Sequence, residues 1–179
     1  MTEDDRLYNG FLTGDLSSFD ALISRYTGRL VLYLNGLTHN IHDAEDLAIE
    51  TFAAIMVKKP AIHPGNFQAY LYKAARNRAT RFRLLRRRMT VFDPEDVRME
   101  EAMAVRPEDE FLWDERRQAV HRGLKRIDPE TREALWLVYF EEMSYAQAAQ
   151  VLDVNAKRID NLLSRGKRLM KEGFTNADE

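Results

Sequence analysis

Cysteine is missing from all 179 residues of the chain. Disulfides and thiolate metal sites are thereby excluded, which sets aside secreted disulfide scaffolds and zinc ribbons. Nor does any uninterrupted apolar run approach the ~18 residues of a membrane span, so no direct membrane insertion is expected. The N-terminal run Thr2-Glu3-Asp4-Asp5-Arg6 is acidic with no apolar stretch behind it, which is wrong for a signal or transit peptide. A soluble cytoplasmic protein is the expectation. The most informative absence is local. Between Glu50 and Asp93 there is not one Asp or Glu, while ten Lys or Arg residues fill the interval.

A net charge of only −2 therefore conceals a sharply segregated molecule. Residues 1–50 sum to −6, 51–92 to +10, 93–115 to −8 and 116–179 to +2. A basic block between acidic ones is the footprint of a polyanion-binding face whose flanks meet something else. With 45% hydrophobic residues, the chain can bury one sizeable core or two small ones, since domains commonly run to ~100–150 residues.

Apolar positions recur at helical spacing nearly everywhere, which predicts an all-α fold. From Phe19 the stripe continues through Leu22, Ile23, Tyr26, Leu30, Leu34 and Leu37 on one long helix, with Ser17 or Ser18 as the expected cap. A second helix is expected to start at Asp43 as cap and to run through Leu47, Phe52, Ile55 and Met56 before Pro60. A short Pro/Gly loop, residues 60–66, leads into a third helix from Phe67 to Met89. Its expected inward face is Leu71, Ala75, Phe82, Leu85 and Met89, with Lys73, Arg76, Arg83 and Arg87 on another face. Pro94 and Pro107 then bracket an acidic stretch without a strong apolar stripe, read as a linker. Helical signals resume at Phe111, Trp113, Val120 and Leu124, and Asp128-Pro129-Glu130 marks a helix start leading to Leu135, Val138 and Tyr139. Two small all-α domains follow from this layout.

Ser144-Tyr145-Ala146-Gln147 has the spacing of a capping box opening a short helix that ends near Leu152. Asp153, which tolerates the left-handed conformation, and Val154 turn the chain into a second helix from about Asn155 to Lys171. Ala148, Leu152, Val154, Ile159 and Leu162 fall where a helix-turn-helix buries its core, and Ala149 is small where the helices approach. Asn155, Lys157, Arg158, Asn161, Arg165, Lys167 and Arg168 are left outward. These are major-groove side chains, Arg and Lys for guanine edges or phosphates and Asn for adenine. A helical hairpin with a solvated basic face has the same spacing.

Taken together, Asp43-Ala44-Glu45-Asp46-Leu47, Glu50-Thr51-Phe52, Tyr70 through Asn77 and Arg86-Arg87-Arg88 closely resemble the second conserved region of extracytoplasmic function sigma factors. Leu124 through Pro129, Ser144-Tyr145 and Leu163 through Lys167 look like their fourth region. The resemblance covers about residues 7–90 and 110–172. It implies a region 2 domain at 1–92 for core polymerase and the −10 element, an acidic linker at 93–110, and a region 4 helix-turn-helix domain at 111–175 for the −35 element. It further implies a dissociable subunit of bacterial RNA polymerase that selects promoters and helps open them, with no covalent chemistry and no cofactor of its own.

Residue roles follow from the same resemblance. Asp43, Glu45, Asp46, Glu50 and Phe52 would dock on the clamp helices of the largest polymerase subunit, where complementary charge speeds and orients encounter. Capping and the helix dipole are an equally ordinary use for Asp43 and Asp46. Ile62, His63 and Asn66 sit in the loop the family uses for base choice. Tyr70, Tyr72, Lys73, Arg76, Asn77 and Arg81 would meet melted −10 DNA by charge and stacking, although Tyr70 and Tyr72 are also plausible core residues. Arg86, Arg87 and Arg88 would grip duplex phosphates, and about five such contacts would make affinity fall as about the fourth to fifth power of salt. The Asn155 to Arg168 set would read the −35 element. The acidic linker would thread toward the active-site channel or serve as a solvated tether. The implied partners are core polymerase through its clamp helices and flap, promoter DNA, and an anti-sigma factor. The chain departs from the family at Tyr70, where Trp is frequent, and at Asp160 and Leu162, where basic residues are frequent.

Two other classes are open. A stand-alone helix-turn-helix regulator would explain the C-terminal half but leave residues 43–88 without a role. A metal-dependent phosphohydrolase would use His39, His42, Asp43 and Asp46, but no second His-Asp group follows.

Overall fold

The computed structural model describes residues 1–90 and 127–175, and every regular element in those stretches is helical. The chain separates into two compact units, Met1–Met103 and Ala104–Glu179. The expected linker at 93–110 and the signals at Phe111, Trp113, Val120 and Leu124 lie outside the described residues. Among the described helices none is long and apolar enough to cross a membrane.

The first unit opens with a helix that periodicity did not reveal, α1 (Glu3–Leu12). Thr2 and Asp5 form a reciprocal capping box, the Thr2 hydroxyl accepting the Asp5 N–H at 3.2 Å and the Asp5 carboxylate accepting the Thr2 N–H at 2.7 Å. The second helix, α2 (Leu16–Thr38), is capped by Asp15 and not by either serine. The Asp15 carboxylate accepts from the Ser17 N–H at 3.0 Å and from the Ser17 and Ser18 hydroxyls at 2.6 Å each. A carboxylate one turn earlier outcompetes the hydroxyls, which become its donors. A similar correction applies to α3 (Ile41–Lys58), which is capped by Asn40 through the His42 and Asp43 N–H groups. Asp43 therefore sits inside the first turn with its carboxylate free for another partner.

Residues 59–66 form the loop that leads to α4 (Phe67–Thr90). Lys59 ends α3 in the left-handed conformation at φ 44°. Gly65 holds φ 78°, which only glycine reaches without strain, just before α4 begins. The core of the unit gathers Phe11, Phe19, Leu22, Leu30, Leu34, Phe67, Leu71 and Tyr72, all fully buried. Each such side chain contributes roughly 1.5–3 kcal/mol by leaving water. Aromatic contacts tie the helices together, with ring centroids 4.4 Å apart for Phe11 and Phe19, 5.3 Å for Tyr8 and Phe67, and 5.1 Å for Tyr33 and Tyr72.

The expected inward face of α4 holds only as far as Phe82. Leu85 and Met89 are 53% and 76% exposed. Arg86 lies against Asp43 in the first turn of α3, so Met89, three residues further on, runs past the end of the helix it would pack on. Met56, expected in the stripe of α3, is likewise exposed.

In the second unit α5 (Pro129–Leu135) begins as expected, with Asp128 as cap and proline in its first turn. A five-residue π-helical turn, Trp136–Phe140, follows directly, its Glu141 N–H reaching back to the Trp136 carbonyl at 3.1 Å. That wider turn breaks the 3.6-residue period. As a result Leu137 is buried, whereas Tyr139, expected inward, is exposed and Val138 only half-buried. The remaining helices are α6 (Tyr145–Leu152) and α7 (Ala156–Thr175).

Candidate nucleic-acid interface

Eight basic side chains of the first unit stand on α4, from Lys73 to Arg88. Asn77, Arg81, Arg83, Arg87 and Arg88 are exposed and Tyr70, Lys73, Arg76 and Arg86 half-buried, and the sequence from 51 to 92 holds no carboxylate. Such a surface attracts phosphate by charge and leaves polar and aromatic tips for bases. In the preceding loop His63 is exposed and Ile62 and Asn66 half-buried. The Asn66 N–H closes a turn on the His63 carbonyl at 3.1 Å, and the Asn66 carbonyl accepts the Tyr70 N–H at 2.9 Å to start α4.

Two expected contact residues are withdrawn from solvent. Tyr72 is 0% exposed, its ring packed on Tyr33, so it is a core residue and cannot stack on a base. Phe52 is 5% exposed and meets Phe19 edge-on with centroids 6.4 Å apart, so it supports α3 from within. Both errors share a cause: a tyrosine or phenylalanine at helical spacing reads alike whether it fills the core or faces a ligand.

Arg86 and Asp43, assigned to different partners by sequence, are brought together instead. The Arg86 guanidinium donates to the Asp43 carboxylate at 2.7 Å and lies 6.0 Å from the Phe82 ring centroid. Glu45, Asp46 and Glu50 are exposed on α3 as expected. Beside Asp46 and Glu50, at spacings of three, four and seven residues, stand Ile49 and Val57, 66% and 82% exposed. The outer face of α3 is thus acidic and apolar together, a mixture suited to a protein partner. Ile49 and Val57 fall outside the inward stripe, so helical periodicity alone does not mark them.

In the second unit the helix-turn-helix is built as its sequence implies. Ser144 and Gln147 complete the capping box, at 2.9 Å for the Ser144 N–H on the Gln147 side chain and 3.2 Å for the return bond. Asp153 turns the chain in the left-handed conformation at φ 59° and ψ 43°. The Val154 N–H then bonds the Ala149 carbonyl at 3.0 Å. Ala148, Ala149, Leu152, Ile159 and Leu162 are buried, and Val154 half-buried. Leu162 therefore belongs to the core and presents nothing to a groove, while Asp160 is exposed. Gly166, which the residue pattern did not single out, lets α7 approach α5. A Cβ there would lie 2.8 Å from Leu135 Cδ1 and 3.0 Å from Thr131 Cγ2.

Helix α7 exposes Lys157, Arg158, Asn161, Arg165, Lys167 and Arg168 together. Asn155 stands just before it and caps it, its side-chain oxygen accepting the Arg158 N–H at 2.8 Å. Arg158 donates to both Glu130 oxygens, at 2.6 and 3.3 Å. Arg165 lies 3.4 Å from Asp128. Arg168 lies 3.9 Å from Glu172, and Lys167 sits 5.4 Å from the Tyr139 ring centroid. Burial raises the Asp128 carboxyl, but hydrogen bonds from Thr131 and the nearby Arg165 outweigh it and leave the pKa below the ordinary value.

The residues of the hydrolase alternative do not converge. His39 ends α2 in the left-handed conformation, His42 faces Glu45 at 3.6 Å, and Asp43 is engaged by Arg86. No group of three His, Asp or Glu side chains able to hold a metal occurs among the described residues.

Comparison with known proteins matches residues 22–89 to sigma-70 region 2 and residues 117–170 to sigma-70 region 4. Among relatives, the ECF RNA polymerase sigma factor SigE of Mycolicibacterium smegmatis is 30% identical over 167 residues, covering 89% of this chain and 64% of the relative. The RNA polymerase sigma-H factor of Pseudomonas aeruginosa is 26% identical over 186 residues, covering 96% of this chain and 94% of the relative. The chain thus spans less than two thirds of the first relative and nearly all of the second. In fold it is similar to CnrH, solved in complex with the cytosolic domain of CnrY, at TM-score 0.66 and 20% identity over 99% of this chain and all of that one. It is also similar to RpoE of Bartonella quintana, solved with the anti-sigma factor NepR, at TM-score 0.63 and 21% identity over 88% of this chain and 96% of that one.

Proposed function

This chain belongs to the sigma-70 family, among the extracytoplasmic function sigma factors, and from that membership we propose that it binds core RNA polymerase and directs it to promoters. The observation that carries this reading is the pairing, in one chain, of an acid-free basic helix and loop with a helix-turn-helix whose second helix is basic outward. One suits single strands and the other suits a major groove. In this reading the domains are 1–92 for the polymerase and the −10 element and 111–175 for the −35 element. The chain works in the cytoplasm and supplies no covalent chemistry.

The roles are assigned by exposure. Glu45, Asp46 and Glu50, with Ile49 and Val57, form the docking face for core polymerase. Asp43 contributes there only by holding Arg86. Ile62, His63 and Asn66 choose the −10 base, and Tyr70, Lys73, Arg76, Asn77 and Arg81 line the melted strand. Arg87 and Arg88 meet phosphates, while Arg86 does so only by leaving Asp43. Lys157 and Asn161 face the −35 groove directly, and Arg158, Arg165, Lys167 and Arg168 reach it on releasing Glu130, Asp128, Tyr139 and Glu172. Two solved neighbours in fold were captured in complex with a partner protein, one of them a named anti-sigma factor, which supports control of this chain by an anti-sigma factor as well.

The competing reading is a stand-alone helix-turn-helix regulator. Binding of the chain to −35 and −10 promoter duplex, with and without core polymerase, separates the two. Sequence-selective binding that requires core is expected here. Selective binding by the chain alone, unaltered by core, would favour the regulator.

A further inference from the structure

The loop of residues 60–66 is held at both ends by the helix that sequence periodicity missed. At its start, the Tyr8 hydroxyl donates to the Pro60 carbonyl at 2.7 Å. At its end, the Gly65 N–H donates to the Asp5 carboxylate at 2.7 Å, across 60 residues of chain. Asp5 and Tyr8 are three residues apart and so lie on one face of α1. The same face grips both flanks of the loop, with the Lys59 ammonium 5.0 Å from the Phe11 ring centroid and the Tyr8 ring 5.3 Å from that of Phe67.

What lies between these four attachments is left outward. Ala61, His63 and Pro64 are exposed and Ile62 is half-buried. A carboxylate buried as deeply as Asp5 is uncommon on a surface helix. Burial alone would raise its pKa, yet the Gly65 and Thr2 hydrogen bonds outweigh this and lower it, so the charged acceptor persists. Burial likewise pushes the Tyr8 phenol up to about 12, with Tyr70 adding to the effect, so it remains a donor at neutral pH.

We propose that Asp5 and Tyr8 are positioning residues for −10 recognition: α1 fixes both ends of the 60–66 loop so that its middle meets the melted strand in one arrangement. This inference rests on the sigma-factor reading. Loop ends fixed before binding remove the ordering entropy that a free loop would lose on meeting DNA. The consequence is specific. Loosening the brace should blur the choice of −10 bases while leaving −35 choice and core affinity alone, because neither α3's outer face nor the second unit is touched.

The test uses the full chain with core polymerase on promoter libraries randomised separately at the −10 and −35 elements, read by sequencing of transcripts. Tyr8→Phe keeps the ring and removes one hydrogen bond. Asp5→Ala removes the other anchor, and Asp5→Asn, which retains one good acceptor, should restore part of the effect. Tyr8→Phe is expected to lower −10 discrimination roughly fivefold, the net worth of one neutral hydrogen bond, and Asp5→Ala roughly tenfold or more because its acceptor is charged, with −35 discrimination and core affinity unchanged. Faster amide exchange at Gly65 should accompany the loss in Asp5→Ala. Equal loss at both elements, or a lower melting temperature with −10 discrimination intact, would overturn the proposal and leave a merely structural brace. Absence of initiation by the wild-type chain would instead remove the sigma-factor reading and this inference with it.

Discussion

Glu130→Gln should tighten −35 binding although Glu130 touches no DNA in the proposed arrangement. Arg158 is tied to Glu130 by two hydrogen bonds, and the two side chains are 50% and 40% exposed. To read a base edge or phosphate Arg158 must leave that carboxylate. An exposed pair of this kind contributes about 0.2–1 kcal/mol, which bounds the gain on releasing it at about 1.4- to 5-fold in affinity. The pair is itself an exposed charge interaction, so the gain on releasing it should shrink as salt rises. Fluorescence anisotropy of a labelled −35 duplex with the holoenzyme, at low and physiological salt, measures this directly. In an Arg158→Ala background the gain should vanish, since the two side chains act as one unit. A fall in affinity, or a gain that persists without Arg158, would refute the reasoning and make Glu130 an orienting partner of Arg158.

Reversing Asp46 and Glu50 to Lys should weaken core binding while leaving chain stability within about 0.5 kcal/mol, because both side chains are exposed; titration of labelled chain with core, against urea unfolding, checks both halves. Gly166→Val should destabilise the second unit by about 1–3 kcal/mol, since even one methyl would stand 2.8 Å from Leu135. Tryptophan fluorescence during urea unfolding reports on it, both tryptophans lying beyond residue 104. Acid should destabilise both units through Asp5 and Asp128. Each has a folded pKa below its ordinary value, so its stabilisation is full above the unfolded pKa of about 3.9 and is lost as pH falls through the folded one. Asp5→Asn and Asp128→Asn should each flatten the stability profile below about pH 4, and an unchanged slope would contradict the assignment.

How far the fold could be read in advance depended on whether a residue's job was local. Capping at Asp128 and Ser144, the left-handed turn at Asp153 and the buried small residues of the helix-turn-helix are decided within a few positions, and all stand in the structure as the sequence implies. Errors arose where a nearby competitor won, as Asp15 did over Ser17 and Asn40 over Asp43. They arose again where the answer depended on a partner distant in sequence. Whether Met89 packs depends on where α3 begins, and whether Tyr72 meets DNA depends on Tyr33. Nothing local in α1 reveals that Asp5 is needed by Gly65. The charge segregation is legible in the sequence, but the ion pairs of Arg86, Arg158 and Arg165 join residues that the sequence separates by more than 25 positions.

Sigma-factor function is tested most directly by mapping transcription starts from a genomic library of the source bacterium, using core polymerase with and without the chain. New starts that share −35 and −10 elements are expected only when the chain is present. A folded, inhibitor-free chain that binds duplex DNA yet adds no starts would contradict that function.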